Sequence, residues 1–134
     1  MHRFAALLIA APLLAQGAPK WEHSLEAGLK RAKAEKKQVF VDVWTEWCGP
    51  CQHLKKNVFP TPEAMAALQN FIPVSLMTQS KTGHVAGGRA IEEQFKVQGY
   101  PTLVILDAEG KEVHRQLGAF RSGADMAKWL GSGK

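Results

Sequence analysis

The sequence predicts an α/β fold in which a central mixed sheet of about four strands carries helices on both faces. Two observations predict it. Short β-branched runs alternate along the chain with segments whose apolar residues recur at helical spacing. The last two strand-like runs are separated by a turn, which is typical of an antiparallel hairpin. With 134 residues and 46% apolar content, the chain is long enough for one such domain with a buried core.

The first half of the chain supplies a strand and three helices. Ser24 is a good N-cap, and the leucines and alanine that follow it at helical spacing predict a helix to about Lys36. Residues 39–44 form the first strand, and a helix begins at the second cysteine and covers residues 51–58. A threonine cap followed by proline then starts another helix, over about residues 61–69.

The second half completes the sheet. Residues 71–78 form a strand parallel to the first, because the helices between them act as a crossover connection. Residues 79–88 are polar and contain glycine, but they lack the P-loop spacing, so we expect an ordinary loop. The remaining elements are a short helix, two strands that form a hairpin and a last helix, at residues 89–95, 102–106, 112–117 and 123–130.

The chain has two cysteines, Cys48 and Cys51, and they lie between the first strand and the next helix. A helix N-terminus carries unpaired N–H groups and partial positive charge, which stabilise the thiolate that attacks disulfides. A disulfide across three residues would close almost no loop, so it would add little stability. The spacing therefore favours redox chemistry over a structural disulfide. Gln52 stands where c-type haem attachment requires histidine, which excludes haem.

The residues around this motif resemble a known family. Residues 41–51 read Val-Asp-Val-Trp-Thr-Glu-Trp-Cys-Gly-Pro-Cys and closely resemble the active-site stretch of thioredoxins. Residues 100–103 resemble the cis-proline stretch of that fold, and Gly118 resembles the glycine after its last hairpin. The resemblance covers about residues 36–130 and implies a thioredoxin-like fold. Residues 58–63 are more similar to exported thioredoxin-like proteins and to the C-terminal domain of the transmembrane thiol:disulfide interchange reductase.

The resemblance assigns three catalytic residues. Cys48, exposed at the helix N-terminus, attacks a substrate disulfide, and Cys51, one turn on, resolves the mixed disulfide. Asp42 accepts the proton of Cys51, and an inward-facing Asp42 would be buried with a raised pKa. The alternative for Asp42 is a solvated position on the outer face of the strand. Thioredoxins usually carry a lysine on the neighbouring strand near this aspartate, and residues 71–78 contain none.

Five further residues are expected to contact substrate. Trp47 offers an apolar surface beside the first cysteine, Gly49 adds no bulk there, and Pro50 has no N–H to leave unpaired at the helix start. The resemblance makes Pro101 a cis-proline, which leaves the backbone of Tyr100 open to pair with an extended substrate segment. An ordinary trans-proline at a strand start is the alternative.

The leading functional hypothesis is an exported thiol–disulfide oxidoreductase that reduces protein disulfides, because Gly-Pro between the cysteines resembles the reducing members of the family. No cofactor is expected besides the redox-active Cys48–Cys51 pair, since nicotinamide and flavin motifs are absent. The expected partners are disulfide-containing proteins and a protein electron donor, for which a membrane thiol reductase is one candidate. We expect a monomer.

Three other functions are compatible with the cysteine pair. A disulfide oxidase or isomerase in protein folding would use the same dithiol, whereas a thiol-based metal carrier would use it as a ligand pair. A zinc site would need two histidines to converge on the cysteines, so no metal site is predicted.

The net charge is +5, but the basic cluster at residues 30–37 contains Glu35 and no aromatic residue. This pattern favours a solvated helix face and argues against nucleic-acid binding.

Residues 1–17 resemble a secretory signal peptide. His2 and Arg3 precede an apolar run at residues 4–14, and small residues end the segment at Gly17. The run is shorter than the roughly 20 residues that span a bilayer, so we expect no stable membrane insertion. The mature thioredoxin-like domain would then be residues 18–134, in the periplasm or otherwise exported. An uncleaved anchor is the alternative.

Overall fold

The computed structural model describes residues 17–133. Most of the predicted signal peptide therefore lies outside the described residues. Within them, no helix is both long enough and apolar enough to cross a membrane. The elements are α1 (Leu25–Glu35), β1 (Gln38–Thr45), α2 (Gly49–His53) with a π-helical turn (Leu54–Val58), α3 (Pro62–Leu68), β2 (Phe71–Ser80), β3 (Gly83–His84), α4 (Gly88–Gln94), β4 (Thr102–Leu106), β5 (Glu112–Leu117) and α5 (Gly123–Ser132).

The strands form one mixed sheet in the order β3-β2-β1-β4-β5. The central strand β1 pairs in parallel with β2 and antiparallel with β4, and β4 and β5 form an antiparallel hairpin. The predicted mixed sheet, parallel crossover and hairpin are therefore confirmed. The predicted N-caps are confirmed as well, because the hydroxyls of Ser24 and Thr61 accept hydrogen bonds from the first turns of α1 and α3.

The prediction of a plain loop over residues 79–88 is wrong. The strand β2 continues to Ser80, and β3 turns back to pair His84 with Gln79 and Gly83 with Ser80. Gly83 has a φ of 129°, a conformation that glycine adopts readily and other residues avoid. A strand that consists of a glycine and a histidine has no alternating apolar pattern, so no local signal predicts this fifth strand.

The segment before α1 is part of the sheet and is more than the linker that was expected. The Glu22 N–H donates to the Pro73 carbonyl at 2.9 Å, and the Ser75 N–H donates to the Glu22 carbonyl at 2.8 Å. These bonds place Glu22 beside β2 as a parallel bridge. The N-terminal segment of the described chain is therefore fixed against the sheet near the middle of β2.

The alternation of side chains along β1 fixes the position of Asp42. Val39, Val41 and Val43 belong to the core cluster on the α1 and α4 side, whereas Phe40 belongs to the cluster with α2, α3 and α5. Because successive strand residues point to opposite faces, Asp42 shares the Phe40 face. It therefore lies on the side of the sheet that the cysteine helix covers.

The helix that follows the cysteines changes character midway. It begins at Gly49, two residues before the predicted start, and its second half widens into the π-helical turn. The Phe59 N–H donates to the Leu54 carbonyl five residues earlier, at 2.8 Å. Turns of this kind are rare and are frequent at functional sites. This one contains Lys55, whose Nζ lies over the ring of Trp44 near the end of β1.

Candidate active site

The cysteine pair closes the N-terminus of α2. Cys48 is the N-cap residue and forms a disulfide with Cys51, with 5.2 Å between the Cα atoms. The Cys51 N–H donates to the Cys48 sulfur at 3.2 Å. A backbone donor and the positive end of the helix therefore both act on this sulfur, which favours its thiolate when the pair is reduced.

The expectation that Cys48 is exposed is wrong for the disulfide form. Cys48 is 4% exposed and Cys51 is completely buried. The physical reason is that the Cys48 sulfur turns inward, towards its bond to Cys51 and the amide of that residue. Gly49 and Pro50 between them are exposed, so the backbone on this side leaves an approach to the pair.

Asp42 is buried, so the alternative of a solvated position is wrong. The residue is 1% exposed, and neither carboxyl oxygen has a hydrogen-bond partner among the described residues. Burial raises the pKa of Asp42 to about 7, while the positive charge of Lys55 opposes the rise. A carboxyl group with this pKa can take up and release a proton near neutral pH, as a general base must.

Lys55 is a site residue that sequence reasoning missed. Its Nζ lies over the Trp44 ring, 2.7 Å from the centroid. Partial burial lowers the pKa of Lys55, whereas Asp42 and Glu46 act in the opposite direction. Lys55 follows Cys51 by four residues, and residues at this spacing share a helix face. That spacing was the one signal in the sequence that could have found it.

The lysine that thioredoxins usually carry on the neighbouring strand is replaced here by a different arrangement. Ser75 of β2 is the register partner of Asp42, and its hydroxyl accepts a hydrogen bond from the Trp44 indole at 2.8 Å. The positive charge near Asp42 therefore comes from Lys55 on the helix side. The strand β2 lacks the lysine, as the sequence indicated, but a positive charge near Asp42 is present on Lys55.

Asp42 and Lys55 line one cavity of about 510 Å³. Its wall is otherwise mostly apolar and is built from the N-terminal segment, the end of the π-helical turn and α3. The other lining residues are Ala18, Pro19, Trp21, His23, Phe59, Pro60, Met65 and Ser75. The buried carboxyl group of Asp42 therefore borders a cavity that is lined by neither Gly49 nor Pro50.

Two of the residues predicted to contact substrate, Trp47 and Tyr100, pack against each other next to Cys48, and we call the surface they form the rim. Trp47 is 57% exposed, and its ring packs edge-on against Tyr100 with 5.9 Å between centroids. The Tyr100–Pro101 peptide bond is cis. Across residues 17–133, neither the N–H nor the carbonyl of Tyr100 makes a backbone hydrogen bond. Backbone groups left free in this way are able to pair with an added strand.

Leu117 extends this rim and was also missed. It is 60% exposed at the end of β5, and its register partner on β4 is Thr102, the residue after Pro101. Leu117 also lies against Gly99, where an added Cβ would come within 3.1 Å of its Cδ1. The signal in the sequence was an apolar residue directly before Gly118, but exposure cannot be read from the strand pattern.

The site combines a Cys-x-x-Cys disulfide at a helix N-terminus with a buried carboxyl group on the sheet face that the helix covers. In a mixed α/β fold, this combination defines a thiol–disulfide oxidoreductase of thioredoxin-like fold. The chain belongs to the thioredoxin-like domain family, because the sequence model of that family matches residues 25–134. The predicted family and fold are therefore confirmed.

Three known proteins are similar to the chain in sequence or in fold. It is 34% identical over 107 residues to the thiol:disulfide interchange protein DsbD 2 of Pseudomonas aeruginosa, covering 78% of this chain but only 18% of that protein. A solved candidate disulphide-isomerase from Bacteroides thetaiotaomicron is 32% identical, with a TM-score of 0.69 and coverage of 89% and 94% of the two chains. The reduced DsbD C-terminal domain of Neisseria meningitidis shares the fold, with a TM-score of 0.69, 17% identity and coverage of 86% and 100%.

Proposed function

We propose that this protein is an exported oxidoreductase that reduces protein disulfides through Cys48 and Cys51. The observation that carries the proposal is the position of the Cys48 sulfur. It caps α2 and accepts the Cys51 N–H at 3.2 Å, and the helical segment that begins there continues into the π-helical turn that holds Lys55. The nucleophile and the resolving thiol therefore start the helix that covers the face of the sheet on which the proposed proton acceptor Asp42 lies.

The first chemical step is attack by Cys48. In the reduced protein, the Cys48 thiolate attacks one sulfur of a substrate disulfide and forms a mixed disulfide. The substrate S–S bond breaks, and its second sulfur leaves as a thiolate that takes a proton from solvent. The helix N-terminus supports this step because it stabilises the attacking thiolate.

The second step releases the substrate. The Cys51 thiol gives its proton to Asp42, and the Cys51 thiolate attacks the Cys48 sulfur. The mixed disulfide breaks, the substrate leaves with both its sulfurs reduced, and the Cys48–Cys51 disulfide forms. Two electrons have then passed from the protein to the substrate, and the product is the disulfide form that the structure describes.

A protein dithiol must then reduce Cys48–Cys51 again, by the same exchange in the opposite direction. The similarity to DsbD 2 supports a place in a thiol:disulfide interchange chain. We propose a membrane thiol reductase as the donor. Reduction of the disulfide form by a purified donor domain, followed by thiol labelling of Cys48, tests this step.

Export is proposed from residues 1–17 alone. If the signal is cleaved as predicted, the exported protein begins at Ala18. Intact mass spectrometry of protein recovered outside the cytoplasm tests this assignment. A mass that retains residues 1–17 would favour the uncleaved anchor.

Disulfide isomerisation is the second candidate, because the candidate disulphide-isomerase is 32% identical over almost its whole length. A thiol-based metal carrier has less support. In the part of the chain that the structure describes, no three His, Cys, Asp or Glu side chains form a cluster that could hold a metal ion.

Reduction potential separates these functions. Equilibration with glutathione should give a value near that of thioredoxin, about −270 mV, and a value near about −120 mV would identify a strong oxidant instead. Insulin reduction should be fast and refolding of scrambled ribonuclease slow. The reverse pattern would favour an isomerase, and tight metal binding without disulfide reduction would favour a carrier. The Cys48→Ser variant is the control in each assay.

A further inference from the structure

We propose that Glu92 is a positioning residue for protein substrates, because it holds Tyr100 directly and Trp47 through Gln79. These two residues border the cysteine pair. The inference rests on the proposed function and deepens it. It implies that residues of α4 and β3 hold in place the surface that receives the substrate. Neither element was connected with function by the sequence.

The Glu92 carboxylate joins three side chains from separate parts of the fold. Its Oε2 accepts from the Tyr100 hydroxyl and from the Gln79 Nε2 at 3.1 Å. Its Oε1 lies 2.6 Å from the His84 Nε2. Hydrogen bonds to an ionised group are shorter and stronger than bonds between neutral groups. One carboxylate therefore ties α4 to β2, to β3 and to the segment before β4.

Gln79 passes this restraint to the active-site motif. While its amide nitrogen donates to Glu92, its Oε1 accepts from the Trp47 indole at 3.2 Å. The Trp47 ring also packs against the Tyr100 ring. A large and exposed side chain would lose rotamer freedom on meeting a substrate. Holding it beforehand removes part of that entropic cost and so favours binding.

Tyr100 is held from a second side. Its hydroxyl lies 2.8 Å from the hydroxyl of Thr78, which is completely buried. The Tyr100 backbone makes no backbone hydrogen bond within residues 17–133, so at this residue the side-chain hydroxyl supplies the hydrogen bonds that hold it. Loosening the side chain would therefore loosen the backbone that a substrate strand would pair with.

The fold brings α4 close enough for these bonds. The first residue of α4, Gly88, packs directly on the Thr78 carbonyl, so a side chain at this position would clash with backbone. The hydrogen bond from Tyr100 is the main cause that lowers the pKa of Glu92. The carboxylate is therefore ionised and accepting at neutral pH.

Glu92→Gln tests the proposal, and Glu93→Gln is the matched control because Glu93 is the exposed neighbour on the same helix. An amide oxygen cannot accept from all three donors. We expect the KM for insulin to rise about tenfold in Glu92→Gln, which corresponds to roughly 1.4 kcal/mol, with a much smaller change in kcat. The KM for a small aromatic disulfide, which cannot span the rim, should rise much less.

The outcomes separate the positioning role from other effects. An unchanged insulin KM, or equal losses with both substrates, would overturn the proposal. A spectroscopic readout is the NMR signal of the Trp47 indole N–H, assigned with Trp47→Phe. It should shift in Glu92→Gln and stay in place in Glu93→Gln. If the wild type and Glu93→Gln both fail to reduce insulin, the proposed function fails, while the Trp47 signal still decides whether Glu92 holds the rim.

Discussion

Asp42 and Lys55 line the same cavity beneath the cysteine helix, one from the central strand and one from the π-helical turn. Burial raises the pKa of Asp42 to about 7, and Lys55 limits that rise. The buried acid lies on the strand that the family pattern implied, but its cation comes from the helix and not from the neighbouring strand. This relationship leads to two predictions.

The first prediction concerns stability against pH. The pKa of Asp42 is about 7 in the folded protein but about 3.9 in an unfolded chain. Between these values only the folded state holds the proton, so stability falls as pH rises from about 4 to about 7. Asp42→Asn removes the ionisation. It should be more stable than the wild type by roughly 3–4 kcal/mol at pH 8, and nearly equal at pH 4.

Urea unfolding of the disulfide form at both pH values measures the difference. The Glu109→Gln variant is the control and should follow the wild type at both, because Glu109 is exposed in the turn between β4 and β5. An Asp42→Asn protein that is no more stable than the wild type at pH 8 would show that Asp42 is not a buried, unpaired carboxylate.

The second prediction concerns catalysis against pH. Because the Lys55 charge lowers the pKa of Asp42, its loss in Lys55→Met should raise that pKa. Methionine keeps much of the apolar stem that packs near Trp44. The pH at which mixed-disulfide resolution reaches half its full rate should therefore move to higher pH. Lys56→Met changes the exposed neighbour and should leave the profile in place.

Stopped-flow measurement of resolution from pH 5 to 9, a range chosen to bracket the Asp42 pKa of about 7, provides the profile. A midpoint that stays in place or moves down in Lys55→Met would contradict electrostatic coupling between the two residues.

The third prediction concerns the apolar rim. Leu117→Ser should raise the KM for a protein substrate about fivefold, because an apolar contact worth roughly 1 kcal/mol is lost. Val113→Ser is the control, since Val113 is also exposed on β5 (44%) but lies four residues further from the site. Equal changes in both variants would mean that Leu117 does not contact the substrate.

Local patterns explain why much of the fold could be predicted. The β-branched run around Asp42, the cysteine motif and the turn between β4 and β5 each carry their signal within a few residues. They also fix each other's positions, because a parallel crossover and a hairpin leave few arrangements of the sheet. The central strand and the cysteine helix followed from this, whereas the inward position of Asp42 was expected from the family resemblance.

The features that were missed depend on packing between distant elements. The strand β3 has two residues and no apolar alternation. The bonds of Glu92 to Gln79 and Tyr100 cross 13 and 8 residues of sequence and require α4 to lie closely on β2. The position of Lys55 depends on which side of α2 faces the sheet. None of these relations is a property of a local segment.

The central claim is that Cys48 attacks and Cys51 resolves. Trapping tests it most directly: Cys51→Ala is reacted with a disulfide substrate, quenched with acid and analysed by mass spectrometry. The account predicts a mixed disulfide on Cys48 that persists in Cys51→Ala and is absent from Cys48→Ala. An adduct that accumulates in Cys48→Ala and not in Cys51→Ala would contradict it.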